Sequence, residues 1–322
     1  SLGIMGEENS SDALLKDGEI RAAVSEERFS REKNDERYPK NAIEYVLKIS
    51  GIKISDVDLV AFASQVWDPR YILTRRYSKS SVADALREQK EYWYPRIYLK
   101  KNVRYFDVFK DRMDLNQYPY NWTGVLNFFR KDDGENKRLV DGNNAKFFRE
   151  FRRDMVAKHL GIDPKKIIFV DHHVGHAHYA YFASPLRGEV TVLTADAWGD
   201  NLRATVSTVK NGVIKRISSS NDYFLGGLYR YITLLLGMKP NEHEYKVMGL
   251  APYAKEKYYQ RALKIFQKTQ QVKGLSFAYK TKPPDLYFYF RDKLEGERFD
   301  SIAGALQKYT ENMLVSWADN AI

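Results

Sequence analysis

An internal echo constrains the fold of this chain more than any other feature. Residues 2–5 form a short apolar run, residues 6–9 a polar loop and residues 12–15 a second run. Lys16-Asp17-Gly18 then makes a tight turn into a third run, residues 20–24. About 190 residues later the order returns: an apolar run at 190–194, an acidic glycine-containing loop at 196–200, a run at 204–209, the turn Asn211-Gly212 and a run at 213–217. Asp-Gly and Asn-Gly between apolar runs are strong two-residue hairpin signals. A helix over 41–49 and a strand over 58–64 follow the first meander, and a helix over 223–236 follows the second.

Strand–loop–strand–turn–strand, met twice, predicts an α/β chain built as duplicated ribonuclease-H-like lobes, the actin-like arrangement also used by sugar kinases. In such folds the loop between the first two strands of each lobe faces phosphates, where backbone amides and little side-chain bulk let an anion approach. We assign 1–65 to the first lobe, 66–160 to an inserted helical block and 161–322 to a second lobe that is incomplete at its C-terminus. The inserted block is expected to be helical with breaks at Pro95, at Tyr118-Pro119-Tyr120 and over 131–137. An amphipathic helix is expected over 147–160, ending at Gly161, and a buried strand over 167–170.

The block 66–160 holds 21 Lys and Arg against 13 Asp and Glu, together with 18 of the 45 aromatics. A basic aromatic surface suits nucleic acid or an anionic small molecule such as ATP, but aromatics mostly serve cores; nucleic acid is the weaker reading. The chain has no cysteine, which removes disulfides and thiolate metal sites and fits a reducing cytoplasm. No run of 18 apolar residues is present, so no membrane span is expected, and the first residues lack the pattern of a signal peptide.

Four of the six histidines, His172, His173, His176 and His178, fall within seven residues at a predicted strand-to-helix corner. On a helix, His172 and His176 share one face and can share one metal. Gly175 permits close approach of another backbone, His173 is expected to hydrogen-bond substrate or phosphate, and His178 to be structural. Asp196, 20 residues after His176, is the candidate third ligand, with Asp200 the alternative carboxylate or merely a turn residue. Two imidazoles and a carboxylate suit Fe(II), Zn or Mn.

The strings His172-His173, His176-Ala177-His178-Tyr179-Ala180, Ser184-Pro185 and Asp196-Ala197-Trp198-Gly199-Asp200 resemble the nodulation-type O-carbamoyltransferases. So do Gly226-Gly227-Leu228-Tyr229, Glu244-Tyr245-Lys246-Val247-Met248-Gly249-Leu250-Ala251-Pro252-Tyr253, and, near the start, Asp17-Gly18-Glu19-Ile20 with Glu26-Glu27-Arg28-Phe29-Ser30-Arg31-Glu32-Lys33 and Pro39. The resemblance implies an actin-like transfer domain related to the proteins that make threonylcarbamoyladenosine on tRNA. It implies carbamoyl phosphate and ATP as substrates, a carbamoyl-adenylate intermediate and transfer to a hydroxyl of a sugar-like or antibiotic acceptor. It further implies a metal, typically iron, on His172 and His176, joined by Asp196 and by a further Asp from the far end of the fold. Where the family's first phosphate loop commonly carries a His-Asp pair, this chain has Glu8-Asn9. The family's glycine-rich adenosine loop, last metal carboxylate and adenylate-forming domain lie beyond residue 322, so the missing C-terminal region or a partner is expected to supply them, and the chain alone is expected to be inactive.

Within that chemistry, the metal centre and the loop amides near Gly6 and Gly199, with Lys246, are expected to hold phosphate oxygens. Arg28, with Lys33 nearby in sequence, is expected to hold carbamoyl or phosphate oxygens, although an exposed Lys or Arg is commonly only a solvated charge. His173 or Asp196 is the expected base. The rival readings are a tRNA threonylcarbamoyladenosine-type protein, an actin-like kinase or ATPase, and a non-catalytic nucleotide-binding scaffold. The histidine pair argues against the kinase, since such enzymes hold Mg through carboxylates and waters.

Overall fold

Alternating burial organises the first sheet. In the computed structural model, which describes residues 1–6, 9–118, 121–130 and 142–322, β1 (Leu2–Met5), β2 (Ser11–Lys16) and β3 (Glu19–Ser25) form an antiparallel meander. The β2–β3 turn places Asp17 at φ 55 and Gly18 at φ 79, the two positive values a tight hairpin demands. β4 (Val60–Phe62) lies parallel to β1, and β5 (Ile167–Phe169) parallel to β4, giving the order β3-β2-β1-β4-β5. The strand expected over 58–64 is thus shorter than predicted. The fold is a mixed α/β one with a partly parallel sheet.

Packing divides the chain into two compact units, the first comprising Ser1–Ser80 and Val103–Gly175, the second Ser81–Asn102 and His176–Ile322. Residues 81–102 of the basic block therefore pack with the second unit, and its remaining described residues with the first.

In the first unit, Leu2, Ile4, Leu14, Val60 and Phe62 turn to the buried side of the sheet, and α1 (Lys40–Ile49) covers β2 and β3. The start of α1 has no capping side chain of its own. Glu26 supplies one: its carboxylate accepts from the Ala42 amide at 2.8 Å and from the Asn41 amide and side chain. That arrangement satisfies donors left over at a helix start and places negative charge there. A buried ion cluster pins the loop between β3 and α1. Arg75 reaches Glu32 at 2.6 Å, Glu36 at 3.2 Å and Asp35 at 3.4 Å, and Arg37 reaches Asp35 at 2.5 Å. Burial raises the Glu36 carboxyl to about 7 despite Arg75. At Glu32 burial also pushes upward, but the Arg75 charge and hydrogen bonds from Ser78, Arg75 and Lys79 outweigh it and leave the group below its ordinary value. Asp12, on β2 opposite Ile4, is 2% exposed, and among the described residues its carboxylate oxygens have no hydrogen-bond partner. Burial raises it to about 8, offset only slightly by the Ala13 amide.

β5 leads within two residues into α3 (His172–Ala183), which follows α2 (Gly142–Leu160) in the chain. The second unit contains β6 (Val190–Gly199), β7 (Leu202–Lys210) and β8 (Val213–Ser220), again an antiparallel meander, with Asn211 at φ 51 and Gly212 at φ 74 in its second turn. Among the described residues no further strand joins this sheet; β9 (Gln270–Lys273) and β10 (Ser276–Tyr279) pair only with each other. Ala204 and Val206 of β7 share one apolar core with α4 (Leu225–Leu235), α5 (Glu244–Leu250), α6 (Glu256–Gln267), α7 (Leu286–Lys293) and α8 (Phe299–Ala321).

Two expectations are corrected here. Residues 196–200 are not a free loop, because β6 continues through Gly199 with a break in register after Ala195. Pro95 does not break its helix. The chain stays helical from Val82 to Ile97, and a π-helical stretch, Glu88–Trp93, precedes the proline, with the Tyr94 amide reaching back to Gln89. A wide turn of this kind absorbs a residue that cannot donate. The breaks expected at Pro119-Tyr120 and over 131–137, and Glu8 of the first loop, lie outside the described residues.

Candidate metal centre

The helix that carries the histidines starts five residues earlier than the Ala- and Tyr-rich stretch alone predicts. Asp171 explains the start. Its Oδ1 accepts from the Val174 amide at 2.9 Å and its carbonyl from the Gly175 amide at 2.9 Å, an N-cap that satisfies donors of the first turn. Both His172 and His176 therefore sit on α3, one turn apart. The signal was present in the sequence as an Asp directly before the histidine run.

His172 Nδ1 lies 3.2 Å from the Ala63 carbonyl. Assigned as the donor there, Nδ1–H leaves Nε2 with its lone pair for a metal, the orientation that a hydrogen bond from the far ring nitrogen gives to ligating imidazoles. His176 Nε2 lies 3.6 Å from Asp196 Oδ2, the two side chains being 52% and 32% exposed. His172, His176 and Asp196 each offer a ligand atom, and these atoms lie within 4.8 Å of one another. Two nitrogens and one oxygen with open positions fit a divalent transition metal, so the residues present suit the group the sequence predicts. Asp196 stands in the irregular end of β6 and accepts from the Ala197 amide at 2.6 Å. Burial raises the neighbouring Tyr223 phenol to about 12, with the Asp196 charge adding to it, so Tyr223 keeps its proton.

The other predicted residues fall as follows. His173 is fully buried, its ring edge-on to that of His172 at 5.7 Å between centroids. His178 is exposed beside Phe182. A Cβ at Gly175 would meet nothing within 4 Å, so the close backbone approach expected there is not found among the described residues. Gly199 is buried and pairs with Leu202, while Asp200 and Asn201, at φ 49 and 68, form the hairpin turn. Lys246 is exposed on α5, its Nζ 5.8 Å from the Tyr245 ring centroid. In the first unit Lys33 is exposed, and Arg28, 69% exposed, pairs with Glu27 at 3.0 Å. Arg28 borders an open cavity of about 790 Å³. Gly3, Ala13, Ala23 and Ala61, neighbours across four strands, line it and are too small to fill it. The Gly6 carbonyl accepts from the Trp67 indole at 3.3 Å.

Comparison with known proteins adds the following. The family model described as carbamoyltransferase N-terminus matches residues 1–320. An uncharacterized protein of Synechocystis sp. is 28% identical over 258 residues, 78% of this chain and 34% of its own length. Nodulation protein NolNO of Sinorhizobium fredii is 26% identical over 243 residues, 74% of this chain and 27% of its own length. An uncharacterized protein of Methanocaldococcus jannaschii is 25% identical over 256 residues, 79% of this chain and 33% of its own length. The chain thus spans about a third of the length of the curated relatives it matches.

Proposed function

The chain belongs to the carbamoyltransferase family, and from that premise we propose that it is the metal- and nucleotide-binding part of an O-carbamoyltransferase. In this reading carbamoyl phosphate and ATP give a carbamoyl-adenylate elsewhere in the full-length protein, and this part directs the carbamoyl group to a hydroxyl of a sugar-like or antibiotic acceptor. The meanders β1–β3 and β6–β8 are the cores of two duplicated, actin-like lobes, the first of which also takes in β5. Among the described residues no helix is long and apolar enough to cross a membrane, and the lack of cysteine suits a cytoplasmic location.

The observation that carries the proposal is the His172–His176–Asp196 triple. A divalent ion bound there, Fe(II) first and Zn or Mn next, would supply positive charge for phosphate oxygens and for the charge that grows during transfer. The chain's own residues do the rest. Ala63 fixes the His172 ring. Transfer joins the acceptor oxygen to the carbamoyl carbon as the bond from that carbon to the adenylate oxygen breaks, with AMP leaving and the hydroxyl proton passing to a base. Asp196, partly exposed, is better placed for that proton than His173, which is enclosed. Arg28 and Lys33 in the first unit, with Lys246 and the Gly199 amide in the second, are the candidate phosphate holders.

Metal analysis of the purified chain tests the reading, together with carbamoyl-phosphate-dependent ATP–pyrophosphate exchange on this chain and on one extended to the relatives' length. We expect bound divalent metal in both and exchange only in the longer protein. Absence of metal from both would sink the proposal.

A further inference from the structure

Arg203, the second residue of β7, is partly buried and lies over the Phe224 ring, 4.4 Å from guanidinium carbon to ring centroid. Among the described residues it makes no hydrogen bond and no ion pair. The charged groups around it do not satisfy it. Asp222 pairs at 3.8 Å with Lys282, and burial raises the Tyr279 phenol above its ordinary value. Burial pulls Arg203 below the ordinary arginine range, and Tyr279, Tyr231 and Asp222 only partly offset it. The Phe224 ring is itself held in place, since it occupies the space a Cβ at Gly227 would need. A partly buried guanidinium held beside an aromatic ring, with its donors not taken up by the described residues, is open to an anion.

Its position indicates which anion. Ala195 pairs with Ala204, so Asp196 and Arg203 are the residues beside one rung of the ladder, at the broken end of β6–β7. We propose that Arg203 is the phosphate anchor of the second unit, its planar fork taking two oxygens of a phosphate or diphosphate group on the substrate. This rests on the reading of that unit as nucleotide-binding. A guanidinium fork matches a phosphate in two-point fashion, and the Phe224 ring lies beside it.

The test is calorimetric titration of the purified chain with pyrophosphate, ADP and carbamoyl phosphate at fixed ionic strength. R203Q is expected to weaken at least one of these by about tenfold or more, with partial recovery in R203K. The ligand most affected identifies the source of the phosphate. R203Q is also expected to retain its divalent metal, which separates this site from the imidazole centre: loss of metal from H176A bears on that centre and leaves this outcome unchanged. Equal affinities of wild type and R203Q for all three ligands, or no binding of any to wild type, overturns the proposal. Should R203Q fail to fold, the wild-type melting temperature decides. A rise with pyrophosphate over chloride at matched ionic strength supports the anchor, and no rise overturns it.

Discussion

His176 Nε2 stands 3.6 Å from Asp196 Oδ2, though the two residues are 20 positions apart and belong to a helix and a strand. The strand is the reason. Val190 and Val192 of β6 pack with Ala177 and Tyr181 of the helix, and strand alternation carries that face on to Asp196, just past the break in register after Ala195. A carboxylate at that distance from an imidazole, with a second imidazole one turn away, is an arrangement that a cation completes.

Single alanine substitutions should therefore divide the histidines. H172A, H176A and D196A are expected to lower the divalent metal content of the purified protein by at least tenfold, measured by plasma mass spectrometry. H178A should leave it at the wild-type level, because that ring lies exposed against Phe182. Equal retention of metal by H176A and H178A would exclude the centre.

Stability should fall as pH rises through neutrality because of Asp12. The folded chain holds the Asp12 proton up to about pH 8, whereas the unfolded chain releases it near the ordinary carboxylate value of about 4. Between those values the folded state binds more protons, so each step up in pH weakens it. The stabilising contribution is complete below about pH 4 and lost by about pH 8. At ~1.4 kcal/mol per pH unit the upper bound is several kcal/mol. Asp12→Asn should flatten this slope in urea melts taken from pH 5 to pH 8, and an unchanged slope would contradict the assignment.

Much of the chain is legible in its sequence. The two meanders followed from Asp17-Gly18 and Asn211-Gly212, where local turn chemistry leaves the backbone little choice, and the helix faces followed from periodicity. The His172–His176 pair was legible from its spacing. What sequence did not reveal depended on distant partners. Glu26 caps a helix that begins 14 residues later, and Arg203 stands out only because Phe224 lies against it. The continuation of β6 past Asp196 was missed because acidic, glycine-containing stretches normally leave a sheet, and here the Gly199–Leu202 rung holds it in.

Removing Arg75 should be severe. Its side chain is 6% exposed and serves Glu32, Asp35 and Glu36 at once, so Arg75→Met leaves buried carboxylates without their counter-ion. We expect a loss of about 3–5 kcal/mol in denaturant unfolding, against less than about 1 kcal/mol for the exposed pair broken by Arg21→Ala.

Glu26→Ala is expected to destabilise by about 1–2 kcal/mol, since the amides of Asn41 and Ala42 lose their acceptor. Hydrogen exchange should show the loss locally, as faster exchange at the first turn of Lys40–Ile49 with little change at its end. Uniform acceleration along the helix would count against a capping role.

The wide turn at Glu88–Trp93 amounts to one surplus residue stored inside a helix. That surplus sets the angular phase of everything after it, including Tyr94 and Tyr98, whose rings flank Phe288 at 5.2 and 5.6 Å. Excising a single residue there would restore ordinary helical winding and rotate both tyrosines by about 100°, away from the ring they clasp. Homologous chains that keep this aromatic trio are thus bound to keep the extra residue as well, and a one-residue gap in the alignment of this segment would mark a chain that packs Phe288 by other means.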